Sequence, residues 1–365
     1  MSKTVYGSLA RIADFDKEPF AINALDRRHW SSGDFVVGKI TGVRTELYRI
    51  ECMSGEMIPV EAGDLVIGAF GHRAATLEGA GSYRKIDDGH MHALTSAGLF
   101  GLFTSFSKLL PRPTSLQYVG HIVRNGRKIC MREFAIRAEP RRFDVPTILL
   151  VGTSMSAGKT MTGKFACEVL SKMGYKVIGS KLTGAGRYRD ILSFRRHGAF
   201  EIYDFVDAGL PSTVVPEDEF RPAIRPLLSH IAGRAPDFLV VEAGASPLEP
   251  YNGATAIDEL GDSVRCLILC ASDPYAVVGV QKAYGLHPDL VAGPATNTSA
   301  ALDLVRKLTG LPGINVIDPG KMPAFREFLV RTLRIDARTE FGGQHQVGAN
   351  HSIPVRSSDS RDSRP

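Results

Sequence analysis

The sequence lacks the features that mark secreted, membrane-spanning and zinc-binding proteins. Its 365 residues include five cysteines, an odd number, which are widely spaced and form no C-x-x-C pair, so neither a disulfide framework nor a zinc site is indicated. No apolar stretch reaches the ~18 residues of a membrane helix, and the N-terminus has no signal-peptide apolar segment. These absences predict a cytoplasmic protein that is not bound to a membrane.

Strong or clustered charge is also missing. The net charge is +5, and the arginines are scattered along the chain. This diffuse basic balance fits small anionic substrates and argues against a track for nucleic acid. We therefore expect a small-molecule anion as the partner, and a homo-oligomer is compatible with the sequence.

The strongest positive signal lies near the middle of the chain. The apolar run 147–151 has the composition of a buried parallel strand. A loop of small residues follows at 152–158, and Lys159-Thr160 then open a segment with helical periodicity. Strand, glycine-bearing loop, Lys-Thr and helix are the parts of a phosphate-binding P-loop, although Thr153 stands where the standard spacing has glycine.

This P-loop predicts a site for ATP and Mg²⁺. Backbone N–H groups of the loop and of the helix N-terminus would face the phosphates. Lys159 would act on the β- and γ-phosphates as a catalytic group, and the Thr160 hydroxyl would hold the metal. The predicted nucleotide-binding residues of this segment are Gly152, Thr153, Ser156, Ala157, Gly158, Lys159 and Thr160.

Two other predicted strands end in candidate site residues. Glu242 follows an apolar strand and precedes small residues, a position at which P-loop enzymes place a carboxylate for Mg²⁺. Lys181 follows another strand and precedes a glycine-rich loop, where α/β proteins bind ligands. It is predicted as a catalytic contact to a substrate anion or to the γ-phosphate, and a solvated loop lysine is the alternative.

Charged residues after that strand extend the candidate site. Asp204 and Asp207 have the spacing of one helical face. Asp207 is predicted to be catalytic, as a base or a second Mg²⁺ contact, with Asp190 and Asp204 as further candidates. Arg187 and Arg189 would stabilise phosphoryl charge, and the alternative is that both lie in solvent.

The chain as a whole predicts two folded domains and a tail. Residues 1–140 carry short segments rich in Val, Ile and Tyr between turn signals, which predict a β-rich domain, either a barrel or a sandwich. Residues 146–337 alternate apolar strands with helical patterns and predict an α/β fold, a doubly wound parallel sheet. The polar segment 338–365 cannot bury apolar area and is predicted to be disordered.

Individual elements of the β-rich part are also predicted. The stretch 71–101 is predicted to be irregular, with Arg73 and Glu78 as alternative substrate contacts and with His90 and His92 as an alternative metal pair. Asn125-Gly126 predicts a hairpin turn between strands at 117–123 and 128–136. Other predicted strands are Phe35–Ile40, Thr45–Cys52, Met57–Val60 and Asp64–Phe70, and, in the α/β part, 313–317 as the last strand.

Several of these segments resemble a known group of P-loop proteins. Residues 152–160, Gly-Thr-Ser-Met-Ser-Ala-Gly-Lys-Thr, resemble the G-T-x-x-x-x-G-K-T loop of the dethiobiotin synthetases and cobyric acid synthases. Lys181-Leu-Thr-Gly resembles the strand end whose lysine contacts substrate in dethiobiotin synthetases, and Val241-Glu242-Ala-Gly resembles the segment whose glutamate serves Mg²⁺. The resemblance covers residues 146–320 and implies that Asn297 contacts the purine.

The similarity is greater still to a poorly characterised P-loop family that includes the D-glutamate N-acetyltransferases. The segments that carry it are Asp204-Phe-Val, Glu242-x-Gly and Ala295-Thr-Asn297-Thr-Ser. Ser154 departs from the dethiobiotin synthetases, which have aspartate there, and the second lysine of MinD-type loops is absent. These departures leave the prediction of nucleotide binding intact and the substrate open.

The sequence favours an ATP- and Mg²⁺-dependent enzyme that activates a small anionic metabolite by phosphoryl transfer, as a kinase or a ligase-type synthetase. The acetyltransferase resemblance keeps an alternative open, in which the P-loop holds the phosphates of acetyl-CoA. A regulatory NTPase with a switch loop is a further alternative. A polynucleotide kinase, which also places a β domain before a P-loop domain, is disfavoured because an aromatic-rich groove for single strands is missing.

Overall fold

A computed structural model describes residues 2–42 and 49–336 of the chain. The predicted tail at 338–365 and the first part of the strand predicted at Thr45–Cys52 lie outside these described residues. Within the described ranges, no helix is long and apolar enough to cross a membrane. All five cysteines are free thiols.

The N-terminal half is built from short, mainly antiparallel strands. Five of them close into a ring, because β6 pairs with β3, β3 with β11, β11 with β9, β9 with β10, and β10 again with β6. Closure removes exposed strand edges and is the barrel form of a small β fold. The strands are Thr4–Tyr6 (β1), Ala21–Asn23 (β2), Phe35–Ile40 (β3), Arg49–Glu51 (β4), Met57–Pro59 (β5), Leu65–Phe70 (β6), His72–Ala75 (β7), Gly79–Ser82 (β8), His90–Thr95 (β9), Leu99–Phe106 (β10), Ser115–Arg124 (β11) and Arg127–Lys128 (β12).

The sequence predicted that the stretch 71–101 is irregular. This prediction is wrong, because the stretch contains β7, β8, β9 and the start of β10. Its glycines allow neighbouring strands to approach closely. A Cβ atom at Gly81 would lie 2.7 Å from Leu94 Cδ2, and one at Gly101 would lie 2.7 Å from the carbonyl carbon of Ser82. Glycine here marks close strand contact and not a loop.

The hairpin predicted at Asn125-Gly126 joins β11 to β12. Both turn residues have positive φ, 49° and 75°, as a type I′ turn requires. The second strand is shorter than predicted, since a 3₁₀ turn at Met131–Phe134 replaces the rest of 128–136.

The C-terminal half is a parallel α/β fold. Its six strands lie in the order β15-β14-β16-β13-β17-β18, so that β13, which leads into the P-loop, has a neighbour on each side. Every residue of β13 is buried, which explains its continuous apolar sequence. The strands are Thr147–Gly152 (β13), Val177–Thr183 (β14), Glu201–Asp204 (β15), Phe238–Ala243 (β16), Val264–Cys270 (β17) and Leu290–Ala292 (β18), and the helices are Lys159–Lys172 (α1), Tyr188–Arg196 (α2), Glu217–Gly233 (α3), Gly253–Leu260 (α4), Pro274–Tyr284 (α5), Ser299–Thr309 (α6) and Met322–Leu333 (α7).

Helices cover both faces of this sheet, so the prediction of a doubly wound parallel sheet is confirmed. Ile148 and Leu150 of β13 pack in one hydrophobic cluster with side chains of α1 and α7. Leu149 and Val151, which alternate with them, belong to a second cluster with side chains of α3 and α4. The strand predicted at 313–317 is wrong, because this segment makes only a single bridge, to Val291.

The second hydrophobic cluster runs without interruption from the barrel into the α/β half. It contains Phe35 of β3 together with Leu149 of β13. Tyr251 is fully buried in the same cluster, and its hydroxyl oxygen accepts a hydrogen bond from Ala74 N at 2.9 Å. The hydrophobic core therefore continues across the boundary predicted near residue 140.

Candidate nucleotide-binding site

The predicted P-loop connects the end of β13 to the start of α1. Gly158, the residue before the helix, has φ of 94°, a left-handed conformation that glycine adopts without strain. Lys159 Nζ donates a hydrogen bond to the Ser154 carbonyl oxygen at 2.7 Å, so the lysine folds back along the loop. A side chain at Gly152 would collide with this ammonium group.

Lys159 is buried at the start of α1. The side chain is 2% exposed. Burial lowers the pKa of Lys159 below its ordinary value, and the nearby Glu242 carboxylate offsets part of this shift. A buried ammonium is costly unless negative charge is close. A phosphate group in the loop would supply that charge, so these residues fit a nucleotide.

The two predicted metal residues lie side by side. Glu242, at the carboxyl end of β16, accepts a hydrogen bond on Oε2 from the Thr160 hydroxyl at 2.6 Å. Hydroxyl and carboxylate oxygens are ligands that Mg²⁺ prefers, and Mg²⁺ completes its shell with water and substrate phosphates. Thr160 and Glu242 are therefore the residues that would hold Mg²⁺.

The alternative metal pair lies in the barrel. His90 and His92 lie on β9, with ring centroids 5.1 Å apart. Burial, and then the neighbouring His90, lower the pKa of His92 to about 4. In the part of the chain that the structure describes, no group of three or more His, Cys, Asp or Glu side chains could hold a metal ion.

Lys181 lies near the carboxyl end of β14 and is close to two carboxylates. Its Nζ donates to Asp190 Oδ2 at 2.5 Å and lies 3.7 Å from Glu242 Oε1. Burial alone lowers the pKa of Lys181, but the charges of Asp190 and Glu242 raise it above its ordinary value. Burial alone raises the pKa of Asp190, but the Lys181 charge lowers it overall. The pair is therefore ionised at neutral pH, and it connects Lys181 to the residue that would hold Mg²⁺.

A cavity of about 500 Å³ joins these groups, and the barrel forms one of its walls. Arg73 of that wall donates hydrogen bonds to the Glu78 carboxylate and to the Leu94 carbonyl oxygen. The sequence pointed to Arg73 and Glu78, but Thr95 was missed because its strand was not predicted. The polar lining residues are Ser156, Lys159, Thr160, Lys181, Arg187, Asp190 and Glu242 from the α/β half, and Arg73, Glu78, Thr95 and Ser96 from the barrel.

The structure does not bring Asp207 to this cavity. Asp204 ends strand β15, so the predicted helical face is wrong, and both carboxylates contact Arg11 Nη2, at 2.8 Å for Asp204 and 2.9 Å for Asp207. Burial raises the pKa of Asp207 to about 6, and the charge of Arg11 opposes the shift. Arg189 also points elsewhere, with Nε 3.5 Å from Glu51 Oε2.

Four predicted nucleotide contacts lie outside the cavity lining: Gly152, Thr153, Ala157 and Asn297. Thr153 N donates to Cys270 O at 3.0 Å, which anchors the start of the loop to β17. Asn297 is exposed and follows the 3₁₀ turn Pro294–Thr296. Its segment contacts the loop at Gly293, whose Cα would lie 3.1 Å from a Cβ at Gly158. Purine contact by Asn297 remains a prediction.

No protein-family model matches this chain, and no curated protein matches it either. Among solved structures, the chain is similar to HypB from Helicobacter pylori in complex with nickel, at 16% identity and a TM-score of 0.35, over 52% of this chain and 88% of that chain. It is similar to FtsY from Mycoplasma mycoides at 12% identity and a TM-score of 0.34, over 55% and 70% of the two chains. It is also similar to a DUF1611 family protein from Anabaena variabilis, at 19% identity and a TM-score of 0.33, over 55% of this chain and 63% of that chain. The assignment of a P-loop α/β fold rests on the strand order and the loop, and not on these scores.

Proposed function

We propose that the chain is a Mg²⁺-dependent enzyme that transfers a phosphoryl group from ATP to a small anionic substrate. The observation that carries this proposal is that one cavity holds the P-loop lysine, the Thr160–Glu242 pair and the Lys181–Asp190 pair, and that the barrel walls it. Its volume suits a small molecule. The resemblance of the loop and of Lys181-Leu-Thr-Gly to the dethiobiotin synthetases supports the same assignment.

The side chains of the cavity can position the reactants and offset their charge. Lys159 balances negative charge on the transferred group, and Lys181, fixed by Asp190, orients an oxyanion. Mg²⁺, when bound, shields the charge of the phosphates. Because Lys181 holds the pKa of Asp190 low, Asp190 is a weak base. This favours an acceptor that is already an oxyanion: its oxygen bonds to the γ-phosphorus while the bond from that phosphorus to the ADP oxygen breaks.

The proposal predicts that nucleotide binding depends on the buried lysine of α1. Lys159→Ala should weaken Mg-ATP binding by about tenfold or more, because it removes a charge-assisted contact in a buried site. Titration calorimetry with Mg-ATP measures this, and circular dichroism shows that the variant is folded. Lys172→Ala is the matched control, since Lys172 lies on the same helix, is 68% exposed and pairs with Glu168. Its affinity should equal that of the wild type.

Turnover is tested by phosphorus NMR with Mg-ATP and a panel of small carboxylates. ADP and a phosphorylated acceptor should form with the wild type, and Glu242→Gln should lower the rate at subsaturating Mg²⁺. If acetyl-CoA binds in place of ATP, and Lys159→Ala abolishes that binding, phosphoryl transfer is ruled out and the acetyl-transfer alternative gains support.

A further inference from the structure

Two polar atoms in the barrel wall of the cavity have no partner within the protein. Among the described residues, the buried side-chain atoms without a hydrogen bond are Arg73 Nε, Thr95 Oγ1 and Ser180 Oγ. Arg73 and Thr95 both line the P-loop cavity. Buried polar groups are normally paired, and an exception in a cavity wall is explained when a ligand supplies the partner. Two such atoms at one wall therefore indicate a binding site.

The strands of the barrel bring these two donors together. Arg73 lies on β7, and its Nη1 donates to the carbonyl oxygen of Leu94, the residue before Thr95 on β9. Its Nη2 donates to the Glu78 carboxylate. The guanidinium is thus fixed through one N–H of each terminal nitrogen, while its buried Nε–H group and the Thr95 hydroxyl have no partner.

Glu78 is the carboxylate partner of this guanidinium and is the more exposed of the two side chains. It lies in the turn between β7, which ends at Ala75, and β8, which begins at Gly79. Its side chain is 29% exposed, whereas that of Arg73 is 13% exposed. Arg73 Nε and Thr95 Oγ1 are shielded from solvent, so a ligand can reach them only by displacing a neighbouring side chain.

We propose that Arg73 and Thr95 form a carboxylate subsite for the substrate, and that Glu78 occupies it in place of that carboxylate. The inference rests on the proposed function, because it names the substrate class of the same cavity: a small molecule that carries a carboxylate. A carboxylate accepts two parallel hydrogen bonds from one guanidinium edge, here Nε–H and Nη2–H, and the Thr95 hydroxyl adds a third. Glu78 uses only one of these donors, Nη2.

If Glu78 and a bound carboxylate compete for Arg73, substitutions at neighbouring positions should change the affinity for carboxylates in opposite directions. Thr95→Val and Arg73→Lys should each weaken carboxylate binding by about tenfold, because each removes a hydrogen bond to a charged group. Glu78→Gln should strengthen it severalfold, because a neutral amide competes less well for the guanidinium. Thr104→Val is the matched control, since Thr104 is exposed on β10 of the same barrel.

The experiment uses the full chain saturated with Mg-ADP, so that the P-loop is filled. Calorimetry with acetate, succinate and citrate, and separately with inorganic phosphate, measures the affinity of the second site. At least one carboxylate should bind with a dissociation constant in the millimolar range or below. Its affinity should be highest for Glu78→Gln, intermediate for the wild type and lowest for Thr95→Val. Thr95→Val should not lower the melting temperature, because Thr95 Oγ1 has no partner to lose.

Other outcomes overturn the inference. It fails if no carboxylate binds, if Glu78→Gln weakens binding, or if Thr95→Val loses binding and melting temperature together. It also fails if phosphate, and no carboxylate, depends on Arg73 and Thr95. Failure of the proposed function is distinct: Mg-ADP would not bind to the wild type, while the dependence of succinate on Arg73, Thr95 and Glu78 would be unchanged.

Discussion

Arg11, Asp204 and Asp207 form a buried charge cluster where the N-terminal segment meets the α/β half. Two carboxylates share one guanidinium, so the cluster carries excess negative charge when both are ionised. Burial therefore raises the pKa of Asp207 from 3.8 to about 6, and the repulsion of Asp204 adds to this shift. The protonation of this single carboxyl is coupled to folding.

We expect the pH dependence of stability to reveal this proton. The unfolded chain releases it near pH 3.8 and the folded chain near pH 6, so the folded state binds more protons between these values. The free energy of unfolding should therefore fall as pH rises through this window, by about 2–3 kcal/mol. The side chain introduced by Asp207→Asn cannot ionise. This variant should therefore lack the contribution of residue 207 to the decrease in the free energy of unfolding. Urea unfolding from pH 4 to pH 7 measures it.

The control for this titration is Asp303→Asn, since Asp303 is exposed on α6. It should keep the wild-type slope. An Asp207→Asn slope equal to that of the wild type would show that another group holds the proton.

Single residues also show what the sequence could and could not predict about the site. Lys159, Thr160 and Glu242 follow apolar strands, and the carboxyl ends of parallel strands meet at one edge of a sheet, so their proximity was predictable. Arg11 was not, because its partner Asp204 lies 193 positions away and only the tertiary fold joins them. Thr95 was missed for a related reason: its role follows from the position of Arg73 on another strand.

At the scale of elements, two helices carry an interior glycine in opposite surroundings. Gly163 of α1 faces the core, where a Cβ would lie 2.6 Å from Leu150 Cδ1 and 2.7 Å from the ring of Phe194. Gly279 of α5 is exposed, and a Cβ there would meet nothing within 4 Å. The same substitution should therefore change stability in opposite directions.

Gly279→Ala should raise the free energy of unfolding by about 0.5–1 kcal/mol, because alanine loses less backbone entropy in a helix. Gly163→Ala should lower it by about 1–3 kcal/mol, because the methyl group overpacks the core between α1 and β13. Urea denaturation measures the free energy of unfolding of both variants, and each variant is the control for the other. Equal effects would mean that helix propensity, and not packing, decides.

Glycine also explains where prediction of elements failed. In the stretch 71–101, glycine indicated loops, yet Gly81 and Gly101 lie in paired strands whose neighbours leave no room for a side chain. Local propensity cannot show this, because the partner strand decides it. In the α/β half, strands β13, β14 and β16 are buried along their whole length, so their apolar runs were recognisable from the sequence alone.

At the scale of the whole molecule, the barrel and the α/β half share one hydrophobic cluster and one cavity. Tyr251 connects them, because it is buried in that cluster and its hydroxyl oxygen accepts from Ala74 N on β7. Burial of the common surface stabilises both halves at once. We therefore expect them to unfold together.

Tryptophan fluorescence and far-UV circular dichroism report on the unfolding of the two halves separately. Trp30, the single tryptophan, packs in the barrel half against Phe70 and Tyr118, at centroid distances of 4.7 and 4.6 Å. The described α-helices all lie within 159–333, so far-UV circular dichroism reports mainly on the α/β half. In urea, tryptophan fluorescence and circular dichroism should give the same midpoint, as expected for one cooperative transition.

Tyr251→Phe tests the connection itself. The variant keeps the ring in the core and removes the oxygen that accepts from Ala74 N. We expect a loss of about 0.5–1.5 kcal/mol, with both midpoints moving together, and Mg-ATP should raise both because it binds only the native state. A tryptophan transition at lower urea than the helix transition would show that the barrel unfolds first. The wall of the cavity would then be formed by a half that folds separately from the P-loop.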